Sequence, residues 1–251
     1  MEHAREPRLD LAERVLPAPL YKALRHVFGG LRGGCALAGG SALAGFYAGN
    51  RRSDDLDIFA DGADSHGSAI RAVKSMEALG GGLANERRTP AFYRASCSLD
   101  GHSFTADVVL DPRLFQVGRM LPLKNGIVVA DLKTLLMMKS AALVSRCSEK
   151  DLYDLIWILG ELPVTLGELV GLGRLLDAGV TAEGLLISVA GAKPEKNACG
   201  FSLDRGVKPA LVHRRIESFR KGLLRNLALL AKDQPVPPLA VLIEKVRRLA
   251  G

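Results

Sequence analysis

Between Leu37 and Phe59 the chain reads LAGGSALAGFYAGNRRSDDLDIF, and this stretch restricts the fold more than any other. A short apolar run ends in Gly39-Gly40-Ser41. A helix-length apolar segment follows from Ala42 to Ala48, and Asp55-Leu56-Asp57 then leads into Ile58-Phe59. Successive side chains on a strand alternate faces, so Asp55 and Asp57 share one face if Leu56 and Ile58 turn into a core. Two carboxylates that close repel unless a cation neutralises them. Carboxylate oxygens suit Mg²⁺, which also holds substrate phosphates. A glycine turn at a helix start lets backbone N–H groups approach an anion, and Ser41 is placed to cap the helix or to meet a phosphate. The two halves make one expectation: a metal-bound nucleoside triphosphate, with Gly39, Gly40 and Ser41 on the phosphates and Asp55 and Asp57 on the metal.

The flanking segments read as a mixed α/β part. Helical pieces are expected between Leu9 and His26, a buried strand from Cys35 to Ala38, a strand from Asp57 to Ala60, a turn from Asp61 to Ser65 and a helix from His66 to Leu79. Strands from Ala91 to Leu99 and from His102 to Leu110 flank Asp100-Gly101, a short hairpin signal. In the second strand Phe104, Ala106 and Val108 alternate with Thr105, Asp107 and Val109. Asp107 is therefore a carboxylate in an apolar strand, where it must be paired or bind a metal. A short strand follows at Ile127 to Val129. From Asp131 the pattern is helical, with helices over 131–146, from Ser148 to Gly160, Leu166 to Leu176, Thr181 to Val189, Pro209 to Lys232 and Leu239 to Leu249, and a loop from Gly191 to Gly206. The expected division is an α/β (α+β) core over 1–130, a small mixed sheet flanked by helices, and an all-helical part over 131–251.

The spacer of thirteen residues between Ser41 and Asp55 gives the stretch a family likeness. A glycine turn, a spacer and an Asp-x-Asp pair resemble the nucleotidyltransferase superfamily with a polymerase-beta-like palm. The form RRSDDLDIF at Arg51 to Phe59 is most similar to the AbiEii/AbiGii-type toxin nucleotidyltransferases of bacteria. Lys139, Arg146 and the run Lys150-Asp151-Leu152-Tyr153-Asp154-Leu155 resemble that family's second motif. The resemblance implies transfer of a nucleoside monophosphate from an NTP to an acceptor hydroxyl with two Mg²⁺ ions. It implies a third metal carboxylate on a neighbouring strand, for which Asp107 is the natural candidate beside Asp100 and Asp111. It implies that Lys139 and Arg51 contact the triphosphate and that Asp151 and Asp154 orient basic partners or support the site. It implies a toxin held by a cognate antitoxin, with a tRNA end as acceptor. Transfer to a small molecule such as an antibiotic, transfer to a protein, and a non-catalytic nucleotide- or RNA-binding module are the other readings. On the residues alone, Lys139 could snorkel from an apolar face, and Asp151 with Ser148 could simply cap a helix.

Composition narrows the setting. Apolar residues make up 48% and charged residues 24%, which favours a folded globule over a disordered chain. Cys35, Cys97, Cys147 and Cys199 form no CxxC or zinc spacing and read as reduced thiols of a cytoplasmic protein. The start MEHAREPRLD is too charged for a secretory signal, and no long apolar window implies a membrane span. The net charge of +7 is uneven: residues 205–251 carry eleven Lys or Arg against three Asp or Glu. On the helix from Pro209, apolar residues from Val212 to Leu230 form one stripe, and Arg214, Lys221, Arg225 and Lys232 line the opposite side. Such a row suits an RNA backbone, or an unoccupied solvent face. With Phe219 the one aromatic there, base stacking is not expected.

Overall fold

The structure is a computed structural model and describes residues 5–249. It divides into two compact units, one up to Thr134 and one from Leu135.

The first unit is built on a seven-stranded mixed sheet in the order β3-β4-β5-β2-β1-β7-β6. Its strands are β1 (Cys35–Leu37), β2 (Asp55–Ala60), β3 (Gly82–Arg88), β4 (Phe92–Leu99), β5 (His102–Leu110), β6 (Met120–Pro122) and β7 (Val128–Ala130). The turn Asp100-Gly101 joins β4 to β5 as a two-residue hairpin, in the register Leu99↔His102. β5 runs parallel to β2, and β1 runs parallel to β7 but antiparallel to β2.

One face of β2, β4 and β5 is apolar: Leu56, Ile58, Tyr93, Ala95, Cys97, Phe104, Ala106 and Val108 are buried there. Helices α2 (Ala18–Gly29) and α4 (Ala63–Lys74) cover this face. α2 buries Leu20, Ala23, Leu24, Val27 and Phe28, the i, i+3, i+4, i+7 pattern of a helix on a sheet. Each Leu, Val or Phe among them contributes about 1.5–3 kcal/mol by leaving water. α1 (Leu9–Val15) packs on the π-helical turn Ala44–Ala48.

Several elements depart from the sequence expectation. The helix after β1, α3 (Gly39–Leu43), begins at the glycines and widens into a π-helical turn at Ala44–Ala48, so Ser41 lies inside it and Ala38 is its N-cap. The segment Asp61 to Ser65, expected as a turn, includes the start of α4, where the Gly62 N–H donates to Ser65 Oγ. β3 was not expected: GLANERR shows no apolar alternation because it is an edge strand, exposed along nearly its whole length. α5 (Pro112–Val117), capped by Asp111, and β6 were also not anticipated.

The second unit is helical: α6 (Leu132–Ser145), whose first residues lie in the first unit, then α7 (Glu149–Glu161), α8 (Leu166–Arg174), α9 (Ala182–Gly191), α10 (Pro209–Leu230) and α11 (Leu239–Arg247). α10 is the hub and contacts α7, α8, α9 and α11. It buries Val212, Ile216, Phe219, Leu223 and Leu227 from its apolar stripe. All four cysteines are buried free thiols. Among the described residues no single helix is long and apolar enough to cross a membrane.

Candidate active site

The second face of the sheet is polar, and strand register sets its residues in rows. Asp55, Thr105, Ser96 and Ala84 stand side by side on β2, β5, β4 and β3. One step along, Asp57, Asp107, Arg94 and Arg87 do the same. Asp55, Asp57 and Asp107 thus share one face of two adjacent parallel strands, with Asp57 directly opposite Asp107. Neighbouring strands lie about 4.8 Å apart, so these backbones hold the acidic groups close without any tertiary adjustment. Thr105 Oγ1 donates to Asp55 Oδ1 at 2.5 Å and fixes that carboxylate from the next strand.

The glycine turn lies against the same acids. Gly40 N–H donates to Asp57 Oδ2 at 3.3 Å. Gly39 has φ +63°, and a Cβ there would collide with the Asp57 carboxylate. A Cβ on Gly40 would stand 2.8 Å from the Arg51 guanidinium and 2.9 Å from Ser53 Oγ. Both positions therefore demand a residue without a side chain. Ser41 is fully buried, and its hydroxyl bonds to Ser53 Oγ and to the Asp55 carbonyl. It ties the turn to the strand instead of capping α3. Arg51, expected on the triphosphate, is 2% exposed. It sits beside the turn, where its Nη1 donates to the Arg52 carbonyl, and it braces the turn from within.

Sequence reasoning missed Arg94. Its Nε donates to Asp107 Oδ1 at 2.7 Å and its Nη2 to Asp107 Oδ2 at 2.5 Å, a two-pronged pair. These bonds, joined by the negative charges of Asp107, Asp55 and Asp57, raise the pKa of the guanidinium. Arg94 thus lies in the field of all three acids. The signal in the sequence was the hairpin itself, since a turn at Asp100-Gly101 places Arg94 across from Asp107.

The donor chemistry of Asp55 and Asp57 fits a hard divalent cation. Among the described residues, however, no group of three His, Cys, Asp or Glu side chains is arranged to hold a metal ion. Both oxygens of Asp107 are engaged by Arg94. Each oxygen keeps a further lone pair with which Asp107 could meet a metal.

The other predicted residues lie in the second unit. Lys139 on α6 is 5% exposed, with Nζ 2.9 Å from Asp151 Oδ1 and 2.7 Å from Asp154 Oδ2 on α7. Arg146 Nε reaches Asp151 Oδ2 at 2.9 Å, and Ser148 Oγ caps α7 while donating to the same oxygen at 2.6 Å. Burial pushes the Asp151 carboxyl up, but the Lys139 and Arg146 charges pull it down further, and the net result lies well below the usual carboxylate range. In this arrangement the Lys139 charge is taken up by two buried carboxylates. The residues of the second motif thus form an internal ion cluster joining α6 to α7.

Arg214, Lys221 and Arg225 are exposed along α10, and Lys232 is exposed just beyond its end at Leu230. Lys193, Lys196, Arg214, Lys221 and Glu217 are among the residues that line a cleft of about 680 Å³.

No protein-family model matches the sequence, and neither does any curated protein. Among solved structures, MenT4, a nucleotidyltransferase toxin from Mycobacterium tuberculosis, superposes with a TM-score of 0.53 at 17% identity, over 86% of this chain and 89% of that one. JHP933 from Helicobacter pylori gives a TM-score of 0.49 at 17% identity, over 85% of this chain and 93% of that one. The MenT4 likeness defines the fold: a mixed open sheet of nucleotidyltransferase type with a helical C-terminal part.

Proposed function

We propose that this chain is a Mg²⁺-dependent nucleotidyltransferase of the AbiEii/AbiGii type. It transfers a nucleoside monophosphate from an NTP to an acceptor hydroxyl, that of a tRNA end, as the toxin of a toxin–antitoxin pair. The observation that carries the reading is the single sheet face bearing Asp55, Asp57 and Asp107, with Asp57 opposite Asp107 and bonded to the Gly39-Gly40 turn. MenT4, a toxin nucleotidyltransferase, shares the fold, which supports the toxin reading and, with it, a cognate antitoxin.

Asp55 and Asp57 would hold the two Mg²⁺ ions, with Asp107 as the third ligand. When bound, the ions would supply charge for the entering and leaving oxygens of an in-line displacement in which the acceptor oxygen bonds to the α-phosphorus and pyrophosphate departs. Asp107, on the strand beside Asp57, accepts the proton of the acceptor hydroxyl. Thr105 keeps the Asp55 carboxylate in place. The backbone of Gly39 and Gly40 receives the phosphates, with Ser41 and Arg51 holding the turn in shape. Lys139, Asp151 and Asp154 fix the first turn of α7 to α6.

The test is incubation with each α-labelled NTP, Mg²⁺ and total RNA. Label in a tRNA band is expected. Asp57→Ala should cut it by at least about 100-fold, the scale seen when a preorganised charge-stabilising group is lost, while near-UV spectra stay native. Undiminished labelling by Asp57→Ala would refute the site, and label on protein or on an added aminoglycoside would refute the acceptor.

A further inference from the structure

The row Asp57, Asp107, Arg94, Arg87 crosses four strands and changes sign halfway. Its last member reaches this face through an irregularity in β3. Between Ala84 and Arg87 the register with β4 slips: Ala84 opposes Ser96 and Arg87 opposes Arg94, so β3 uses one residue more than its partner. Asn85, inside the slip, has φ +53°, a value asparagine tolerates better than most residues. This is a β-bulge, a device that re-aims a side chain. Without it Glu86 would oppose Arg94. With it Glu86 points to the helix-covered side, where it meets the Tyr93 hydroxyl at 3.0 Å and Lys74 Nζ at 2.6 Å. Arg87 is delivered to the acid face.

Two like charges directly opposed on a sheet destabilise it. Asp107 answers Arg94, while Arg87 is exposed and makes no ion pair among the described residues. Next to this pair the face is paved with small groups. Ser96, Ser98, Ser103 and Thr105 line a groove of about 570 Å³ that ends at Asp54 and Asp55. Leu83, Cys97 and Phe104 also line it. One pair along from Ala84 and Ser96 stand Arg87 and Arg94; the fork of Arg94 is taken by Asp107, and the exposed guanidinium of Arg87 has the planar fork that matches a phosphate.

We propose that Arg87, aimed by the bulge and set beside Arg94, binds a phosphodiester of a single-stranded nucleic acid lying in the Ser96–Thr105 groove. With strands about 4.8 Å apart, the Arg87 backbone lies roughly 10 Å from that of Asp107. A phosphate held there belongs to the same strand end whose hydroxyl meets Asp107. Only the naming of this strand as the acceptor rests on the nucleotidyl-transfer reading.

The experiment measures binding of a short 5′-labelled single-stranded RNA by fluorescence anisotropy across a salt series, without NTP or metal. Loss of the transfer reading leaves its result untouched. Arg87→Gln should weaken binding roughly fivefold or more and reduce the log–log salt slope by about 0.7, one phosphate contact on a single strand. Arg88→Gln, on the same edge but opposite Tyr93 and so on the other face, should bind as the wild type does. RNA carrying uncharged methylphosphonate linkages at its 3′ end should bind wild type and Arg87→Gln alike. The proposal is overturned if the wild type does not bind the RNA, if Arg87→Gln binds unchanged, if Arg88→Gln weakens binding equally, or if Arg87→Gln weakens the neutral-ended RNA to the same degree.

Discussion

At the residue scale, a single hydrogen atom separates the glycine turn from the acid beneath it. A methyl group on Gly39 would enter the Asp57 carboxylate at a backbone φ that L residues rarely adopt. Gly39→Ala should therefore cost about 1–3 kcal/mol in urea unfolding and should reduce nucleotidyl transfer more than it reduces stability, because Asp57 must move. A variant with wild-type transfer and stability would show that the turn is not tied to the acid. The acids themselves were legible in the sequence, since period-2 alternation alone puts Asp55 with Asp57 and isolates Asp107 in an apolar strand. The basic residues were not legible. Nothing in a linear sequence distinguishes an arginine that reaches for substrate from one packed beneath a turn, and Arg51 lies at 2% exposure. Arg87 was invisible for another reason: its face is decided by one inserted residue in a strand without apolar pattern.

At the scale of elements, α6 and α7 are joined by a buried ion cluster. Lys139 faces two carboxylates with almost no exposure, and deleting one member of such a cluster leaves unpaired buried charge. Lys139→Met should destabilise the protein by about 3–5 kcal/mol, followed by the fluorescence of Trp157, the chain's one tryptophan, which lies on α7. The pH dependence has a defined sign. The Asp151 carboxyl is depressed in the folded state, so its stabilising effect is complete above its unfolded value of about 3.9 and is lost as pH falls toward the folded one. The stability gap between wild type and Asp151→Asn should be full at neutral pH and close progressively below about pH 4. A gap that widens on acidification would contradict the assignment. The helices and their order were readable from apolar spacing, as was the shared face of Asp151 and Asp154. What the spacing could not reveal was that Lys139 turns toward them.

At the scale of the whole molecule, charge is unevenly distributed, and α10 presents the basic excess as an exposed row. Replacing Arg214, Lys221 and Arg225 together by glutamine should weaken RNA binding uniformly across sequences. Every phosphate interaction removed in this way should reduce the salt slope by about 0.7–0.9. An unchanged slope would leave the row as a solvated face. These positions lie on the exposed side of α10, away from its buried stripe, so melting temperature should hardly move.

The pairing of β2 with β5 joins Asp55 to a residue 50 positions further along. Parallel partners distant in the chain come together slowly and only after both have been synthesised. A growing polypeptide that stops short of β5 carries Asp55 and Asp57 and can pair β2 with β1, but it lacks the strand that brings Thr105 and Asp107 beside them. Translation thus imposes a delay between making this acidic pair and completing the pocket around it, and a prematurely terminated product lacks both Asp107 and the hydroxyl that holds Asp55.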